Sequence, residues 1–365
     1  MKISPYPLNL TLRHTFQIAR GAHNVQNNVV IVLTDTDGVS GYGEAAPTRF
    51  FGEDIPSVIK AFGLAGEFLK GFDPFQTDAI ALRLKGLFPK DAAARAAVDM
   101  AIHDIVGKKL KIPLFKLLGL SRPEKCVTSF TIGIGTLEKM CEKVNEVKDF
   151  PILKIKVGMK DDMELLKELR KITRAVFRID ANTGWTADEA IKKINAMEDL
   201  GVEFIEQPFP VGSMEALKKV KRHTKLPIIL DEDVKDSKDI PALAGVADGI
   251  NLKLMKCGGI REALRMIHTA RAHGLKVMIG CNIESSVSIT AAAHLTSLVD
   301  YIDLDGNLLV TNDPYLGVAV DNGRLLMPEG EGLGIVPNAA RQQPEASEPF
   351  PVHSCIEMDA QKKRT

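Results

Sequence analysis

The sequence predicts an α/β fold in which a parallel (β/α) barrel is joined to a smaller α+β region. From about residue 126, short apolar runs rich in β-branched residues alternate with stretches of helical periodicity. Several of these runs end in a charged side chain, and the carboxyl ends of the strands are where such barrels carry their functional residues. The chain has 365 residues, enough for one barrel and one smaller domain.

The α+β region is predicted to occupy residues 1–125. An apolar run at 29–33, a turn at 35–38 and a second run at 39–45 are typical of a β-hairpin. Helical periodicity then predicts three helices, at 55–70, 75–88 and 92–110. The third helix is rich in alanine and is therefore suited to close packing.

Eight strands are predicted in the barrel, which is expected to span residues 126–310. They lie at 127–133, 153–157, 176–180, 204–206, 228–231, 249–254, 276–280 and 301–305. Helical stretches between them favour a parallel order. The chain after the eighth strand lacks a clear helix, so residues 311–337 are expected to return to the first region. Residues 338–365 are more polar and are predicted to be poorly ordered.

Charge and cysteine content exclude several classes of protein. Lys+Arg and Asp+Glu both number 47, which gives no electrostatic argument for binding nucleic acid or an anionic membrane. No apolar run is long enough to span a bilayer. The five cysteines are scattered and form no C-x-x-C pair, so we expect neither disulfides nor zinc, and a reducing cytoplasm fits best. A homo-oligomer is left open.

One glycine pair resembles part of a nucleotide-binding motif. Gly133 and Gly135 follow the first predicted barrel strand, as in a dinucleotide-binding fingerprint. The third glycine and the downstream acidic partner are missing, so no nucleotide cofactor is expected.

Three carboxylates end consecutive predicted strands, namely Asp180, Glu206 and Asp231, each about one βα unit from the next. Adjacent strands lie about 4.8 Å apart, so these side chains should converge. Each acid alone would be unremarkable on a surface or at a helix cap, but three close together repel one another unless a cation lies between them. We therefore predict an Mg²⁺ site with these three ligands. Asp233 is an alternative third ligand because it shares a face with Asp231.

Two lysines, Lys154 and Lys156, alternate on the second predicted strand and should point to one face. Such a pair alone is typical of a solvent-facing edge strand, but the acids downstream favour the barrel interior. Lys156 and Lys253, on the sixth strand, would flank the metal from opposite sides. Burial and neighbouring cations would lower a lysine pKa toward neutrality and make it a base. One base on each face of a carbon predicts racemisation or epimerisation through an enediolate.

Together with these carboxylates, the Lys-x-Lys pair and the segment Lys-Leu-Met-Lys-Cys-Gly-Gly from Lys253 to Gly259 resemble the enolase superfamily, muconate-lactonizing subgroup. The resemblance covers nearly the whole chain. It implies a (β/α)7β modified TIM barrel with an α+β capping domain built from the N-terminal region and the C-terminal segment. It also implies essential Mg²⁺ and removal of a proton α to a carboxylate.

Asp303 and Asp305 on the eighth strand refine the expected activity. Alone, such a pair is commonly part of a loop or a cap. At this position it is similar to the dipeptide epimerases, where the pair holds the free α-ammonium of the substrate. The resemblance also places Thr131 and Cys281 against the substrate and Lys154 beside the substrate carboxylate. We therefore expect a Mg²⁺-dependent enzyme that inverts the α-carbon of the C-terminal residue in L-Ala-L/D-Xaa dipeptides.

Other functions are left open by the sequence. An o-succinylbenzoate synthase or an N-acylamino acid racemase would need the lysines and the metal but no ammonium site. A barrel that binds peptides or metal without catalysis is a third interpretation. Substrate side-chain specificity is also undecided: Arg20 could serve an acidic side chain, whereas Phe50 and Phe51 could line an apolar pocket. Cys281 is not favoured as a nucleophile, because no histidine follows it in a suitable position.

Overall fold

An antiparallel sheet and three helices form the N-terminal half of a capping domain. The computed structural model describes residues 1–18, 21–158 and 161–351. The sheet has the order β1 (Lys2–Ile18), β2 (Gly21–Thr34) and β3 (Ser40–Ala45), and the helices are α1 (Ile55–Leu69), α2 (Thr77–Leu87) and α3 (Ala92–Leu110). The hairpin and all three helices agree with the sequence-based prediction.

The strand β1 was not predicted. It contains Pro5 and Pro7, which interrupt the usual pattern of a strand and are tolerated because β1 lies at the edge of the sheet. On the other edge, β3 lies directly against α3. A Cβ at Gly41 or Gly43 would collide with the main-chain oxygens of Ala101 and Ala97, so this close packing depends on glycine.

Eight parallel strands form the barrel, and their order in the sheet follows the chain. They are β4 (Phe130–Ile132), β5 (Ile152–Lys156), β6 (Val176–Asp180), β7 (Val202–Glu206), β8 (Ile228–Leu230), β9 (Gly249–Leu252), β10 (Lys276–Gly280) and β11 (Tyr301–Asp303). The first and last strands meet where Ser129 N donates to Ile302 O at 3.2 Å. The predicted barrel with a capping domain is therefore confirmed.

Helices surround the barrel. After α4 (Leu114–Leu117) they are α5 (Leu137–Glu146), α6 (Asp162–Ile172), α7 (Ala187–Met197), α8 (Met214–His223), α9 (Leu254–Cys257), α10 (Ile260–Ala272) and α11 (Ser286–Ala293). The strand β11 is followed only by a 3-10 turn, Gly306–Leu309, in place of an eighth barrel helix. In the described part of the chain, no helix combines the length and apolar character needed to cross a membrane.

The C-terminal segment returns to the capping domain. It contains β12 (Tyr315–Leu316), β13 (Ala319–Asp321), β14 (Arg324–Leu326) and β15 (Val336–Pro337). Gly332 N donates to Ile112 O at 2.9 Å, and Leu114 N donates to Gly332 O at 2.8 Å. The exact domain boundaries stay a prediction.

Part of the segment expected to be poorly ordered has defined contacts. Phe350 N donates to Pro5 O at 2.8 Å, and the Tyr315 hydroxyl donates to Glu345 at 2.9 Å. Residues 352–365 lie outside the described part of the chain, so the prediction of disorder is untested there.

Two buried carboxylates of the capping domain bind the barrel. Asp99 Oδ2, on α3, accepts hydrogen bonds from Ile260 N at 2.6 Å and Arg261 N at 3.3 Å, in the first turn of α10. The residue that precedes this helix, Gly259, has no side chain to cap it. Asp99 therefore supplies the helix cap from the other domain. Glu44, at the end of β3, similarly accepts from the main chain and the hydroxyl of Ser285, and burial raises its pKa to about 7.

Candidate active site

Charged side chains converge at the carboxyl ends of β5 to β9. The strand pairing places Lys156 beside Asp180 and Asp180 beside Glu206. Asp231 follows the last residue of β8, and Lys253 follows the last residue of β9. The edge-strand interpretation of the two lysines is wrong, because β5 lies between β4 and β6 and both lysines are buried. Matching strand register therefore brings the predicted acids and lysines together.

Lys154 lies at the centre of this group. Its ammonium is 2.7 Å from Glu206 Oε2, 2.9 Å from Asp303 Oδ2 and 3.1 Å from Asp180 Oδ2. Burial alone would lower the pKa of Lys154, but the surrounding carboxylates raise it well above its ordinary value. Lys154 is therefore a fixed positive charge in this arrangement.

The other two lysines lie at the two ends of the row of carboxylates. Lys156 Nζ is 2.6 Å from Asp180 Oδ2, and Lys253 Nζ is 2.9 Å from Asp231 Oδ2. Glu206 lies on β7, between the strands that carry Asp180 and Asp231. Two primary amines therefore lie at opposite ends of the same row of carboxylates.

The three carboxylates differ in protonation. Burial would raise the pKa of Asp180, but Lys156 and Lys154 outweigh it and hold that pKa at about 2. Lysines likewise hold the pKa of Asp231 below its ordinary value against the effect of burial. Burial and the Asp180 charge raise the pKa of Glu206 to about 7, despite the neighbouring Lys154. Glu206 is thus the acid of the row with the least compensated charge.

The expected lowering of the lysine pKa values depends on a metal ion beside the lysines. We expected burial, the Mg²⁺ ion and Lys154 to act together; with the protein groups alone, the pKa of Lys253 lies above its ordinary value. Burial is the largest single effect and lowers it, but the Asp231 carboxylate at 2.9 Å and the Glu206 carboxylate together raise it by more. A lysine at this position becomes a base near neutral pH only if another cation shares the charge of Asp231.

The side chains around the row of carboxylates show whether it could hold such a cation. Across residues 1–18, 21–158 and 161–351, no three Asp, Glu, His or Cys side chains have a ready metal-binding arrangement. The positive charges among the acids are lysine ammonium groups. However, the donor set consists of buried carboxylate oxygens, and Glu206 Oε2 accepts no hydrogen bond although Lys154 is near it. These residues fit a hard divalent cation, which prefers charged oxygen ligands.

Asp233, the alternative third ligand, forms hydrogen bonds with Gln207 and Gly212. Its carboxylate accepts from Gln207 Nε2 at 2.6 Å and from Gly212 N at 2.7 Å. Gln207 also accepts hydrogen bonds from the main-chain N–H groups of Asp231 and Asp233. This arrangement favours Asp231 as the third carboxylate of the row.

The two aspartates at the end of β11 have different partners. Asp303 Oδ1 accepts from Ser129 Oγ at 2.7 Å, and its Oδ2 binds Lys154. Asp305 Oδ2 accepts from Thr131 N at 2.6 Å, the Thr131 hydroxyl also bonds this carboxylate, and Oδ1 lies 3.8 Å from the weak thiol donor of Cys281. Burial and the Asp303 charge raise the pKa of Asp305 to about 6. Asp305 therefore retains more capacity to bind an added cation than Asp303 does.

Cys281 lies at the end of β10, beside these aspartates. Burial and the nearby Asp305 raise the pKa of its thiol well above the ordinary value. The thiol therefore stays protonated at neutral pH, which agrees with the expectation that it is not a nucleophile.

The candidate specificity residues are only partly described. Arg20 lies outside the described residues. Phe50 is 43% exposed and packs edge-to-face against Phe51, with ring centroids 4.9 Å apart. Phe51 also lines a cavity of about 220 Å³ together with Lys235 and Lys256. The choice between an acidic and an apolar side-chain pocket thus stays open.

Sequence reasoning missed two polar residues of the site. Asn251 is fully buried and donates to Glu206 Oε1 at 2.8 Å. It precedes Lys253 by two positions in an apolar strand, so alternation could have placed it on the same face. Lys256 is buried against Asp231, and its spacing of three residues from Lys253 was the available signal.

Comparisons with known proteins agree with this geometry. Residues 6–119 match the family described as mandelate racemase / muconate lactonizing enzyme, N-terminal domain, and residues 137–341 match the family described as enolase C-terminal domain-like. The L-Ala-D/L-Glu epimerase of Bacteroides thetaiotaomicron is 39% identical over 92% of this chain and 88% of its own length.

Solved structures are similar over the same extent. A dipeptide epimerase from Enterococcus faecalis V583, complexed with Mg and the dipeptide L-Leu-L-Tyr, has a TM-score of 0.88 and 34% identity, covering 92% of this chain and 98% of its own. An N-succinyl Arg/Lys racemase from Bacillus cereus has a TM-score of 0.89 and 28% identity, covering 96% and 99%. The chain therefore belongs to the enolase superfamily, in the group of mandelate racemase and muconate lactonizing enzyme.

Proposed function

We propose that the protein is a Mg²⁺-dependent dipeptide epimerase that inverts the α-carbon of the C-terminal residue of L-Ala-L/D-Xaa dipeptides. The observation that carries the proposal is the position of two lysines, Lys156 and Lys253, at opposite ends of one row of buried carboxylates. Relatives with this fold are named as epimerases of such dipeptides, including the one from B. thetaiotaomicron.

Asp180, Glu206 and Asp231 would hold the Mg²⁺ ion. When bound, the ion supplies positive charge beside the substrate carboxylate, so that negative charge can develop on its oxygens. The negative charge of these acids keeps the pKa of Lys253 high when no ion is bound. The ion would balance part of that charge and so lower the pKa of Lys253. The same acids thus explain both the need for a metal and the poor basicity of the lysine without one.

The two lysines would exchange one proton for another at the α-carbon. One neutral amine removes the α-proton and becomes an ammonium, and the electron pair moves into the carboxylate to give an enediolate. The lysine on the opposite face, already an ammonium, returns a proton to the same carbon. Atoms and charge balance: the α-carbon is inverted, and the two lysines have exchanged protonation states. Lys154, which carries a fixed positive charge, would stabilise the enediolate from the side.

Asp305 would bind the free ammonium of the dipeptide. It is buried, and its hydrogen-bond partners, Thr131 and the Cys281 thiol, carry no charge. Asp303 would add negative charge near the ammonium without binding it directly, because its own oxygens already bind Ser129 and Lys154. Thr131 and Cys281 line the same position through their contacts with Asp305.

An N-acylamino acid racemase is the second candidate. The B. cereus N-succinyl Arg/Lys racemase has the same overall fold, and such an enzyme needs the lysines and metal but not an ammonium site. The buried charge of Asp305 disfavours this function, because an N-acyl group would leave a carboxylate buried without a counter-charge.

Deuterium uptake tests the proposal directly. The enzyme is incubated with Mg²⁺ in deuterated water and a library of L-Ala-L-Xaa dipeptides, and mass spectrometry follows the gain of one mass unit at the C-terminal residue. Matched N-acetylated dipeptides form the second arm, and Asp180→Asn and Glu206→Gln serve as metal-site controls. Uptake only with N-acylated substrates would favour the racemase, and no uptake from either set would favour a non-catalytic barrel. The same library identifies the preferred second residue.

Two further properties belong to this proposal. The four described cysteines, Cys126, Cys141, Cys257 and Cys281, are free thiols, which supports a reducing compartment such as the cytoplasm. A homo-oligomer would be compatible with the fold and is tested by sedimentation of the full chain.

A further inference from the structure

A second lysine approaches Asp231 from the side away from Lys253. The two lysines flank the single turn of α9: Lys253 is its N-cap, and Lys256 lies three residues later. Lys253 approaches Asp231 Oδ2 at 2.9 Å, and Lys256 binds Asp231 Oδ1.

The ammonium of Lys256 has all three of its hydrogens engaged. It donates to the Asp231 carboxylate, to Asp231 O at 2.6 Å and to Asn251 O at 2.9 Å. Lys256 is only 6% exposed, so these contacts are protected from water. They join the end of β8 to the end of β9 and occupy Oδ1 of the Asp231 carboxylate.

We propose that Lys256 is a positioning residue for the metal site: it locks Asp231 so that only Oδ2 is presented to the cation. This inference rests on the proposed Mg²⁺ site. Lys256 is not itself placed as a base, because its three donors are already used by Asp231 and Asn251. Its effect on the reaction is therefore transmitted through Asp231. Such partners of metal ligands commonly change metal affinity about 10–100-fold when they are removed.

Two other roles make different predictions. If Lys256 only ties the two strands together, its loss should lower thermal stability and leave Mg²⁺ affinity unchanged. If Lys256 acts only through its charge, its removal should strengthen Mg²⁺ binding, because a cation beside the ligand repels the metal. A positioning role predicts weaker binding, because the free carboxylate must be ordered each time the metal binds.

The experiment compares Lys256→Met with Lys108→Met in the full-length protein. Lys108 is a matched control in the capping domain, since it also binds a buried carboxylate, Asp104, at 2.7 Å and a main-chain oxygen, Ser40 O, at 2.9 Å. Isothermal titration of MgCl₂ without substrate gives the dissociation constant, and thermal unfolding gives stability. Lys256→Gln replaces the methionine variant if that variant fails to fold.

We expect both variants to lose stability and only the Lys256 variant to bind Mg²⁺ about 10–100-fold more weakly. Raising the Mg²⁺ concentration should restore most of the kcat of the Lys256 variant, because the three ligands remain. Unchanged or tighter Mg²⁺ binding would overturn the inference while the proposed function stands. If the unmutated protein binds no Mg²⁺, the metal-dependent function itself fails.

Discussion

Asp305→Asn should remove the preference of the enzyme for a free dipeptide over its N-acetyl form. The substitution keeps the shape of the side chain, and the amide oxygen can still accept the hydrogen bond from Thr131 N that Asp305 Oδ2 accepts at 2.6 Å. What is lost is the negative charge next to the substrate ammonium. Because the site is buried, that charge is poorly replaced by water.

The expected magnitude follows from the contacts of Asp305. Breaking a buried charge pair by removing one partner costs about 2–5 kcal/mol. The lower limit applies here, because Thr131 N already donates a hydrogen bond to the carboxylate. A loss of 2 kcal/mol corresponds to a change of about 30-fold in kcat/KM, since 1.4 kcal/mol corresponds to tenfold. The kcat/KM for L-Ala-L-Xaa should therefore fall by about 30-fold or more, whereas that for the N-acetyl form should change little.

The assay measures kcat/KM for both substrate forms at pH 8 and pH 5, with Asp303→Asn for comparison. Asp303 binds Lys154, so its loss should slow both substrates together. The raised pKa of Asp305, about 6, adds a second check: below pH 6 the carboxyl is protonated, and the preference of the unmutated enzyme should shrink. A selectivity ratio that is insensitive to Asp305→Asn would refute this assignment of the ammonium site.

Three other outcomes are expected. Asp231→Asn should abolish Mg²⁺ binding measured by titration, whereas Asp233→Asn should retain most of it; the reverse result would exchange the two assignments. Lys156→Ala and Lys253→Ala should each stop epimerisation. Each variant should still exchange the α-proton of one epimer with deuterium from the solvent, and the two variants should act on opposite epimers. Equal exchange of both epimers by either variant would contradict the two-sided geometry. Burial lowers the pKa of His294 from 6.5 to about 4. As the pH falls from 6.5 to 4, the unfolded chain binds a proton at this histidine before the folded protein does. The free energy of unfolding should therefore fall by about 3 kcal/mol over this range. Chemical denaturation of His294→Gln should show a flatter acid dependence, and an unchanged slope would exclude this histidine as the cause.

The positions of the acids could be predicted because each ends an apolar run. Strand ends are visible in a sequence, and parallel strands with matched lengths bring them to one edge of the sheet. Asp180 and Glu206 are direct neighbours in the strand register for this reason. The number of barrel strands and the absence of a final helix follow from the same alternating pattern.

Other features depend on contacts between distant segments. The different roles of Asp303 and Asp305 arise where β11 meets β4, and no local pattern reports which carboxylate binds Ser129 and which binds Thr131. The direction of the Lys253 pKa shift likewise depends on a competition between burial and Asp231, whose outcome requires a distance. Both features are set by tertiary geometry and not by residue type.

The helix cap that Asp99 provides for α10 limits how this protein can be recombined. The helix α10, which Asp99 caps, directly follows α9 and so lies next to both Lys253 and Lys256. A hybrid enzyme that exchanges capping domains would also exchange the carboxylate that caps α10, next to the turn that carries the proposed base Lys253. Grafts that keep α3 and replace only the loop around Phe50 preserve that cap, so they should disturb the barrel less than exchange of the whole domain.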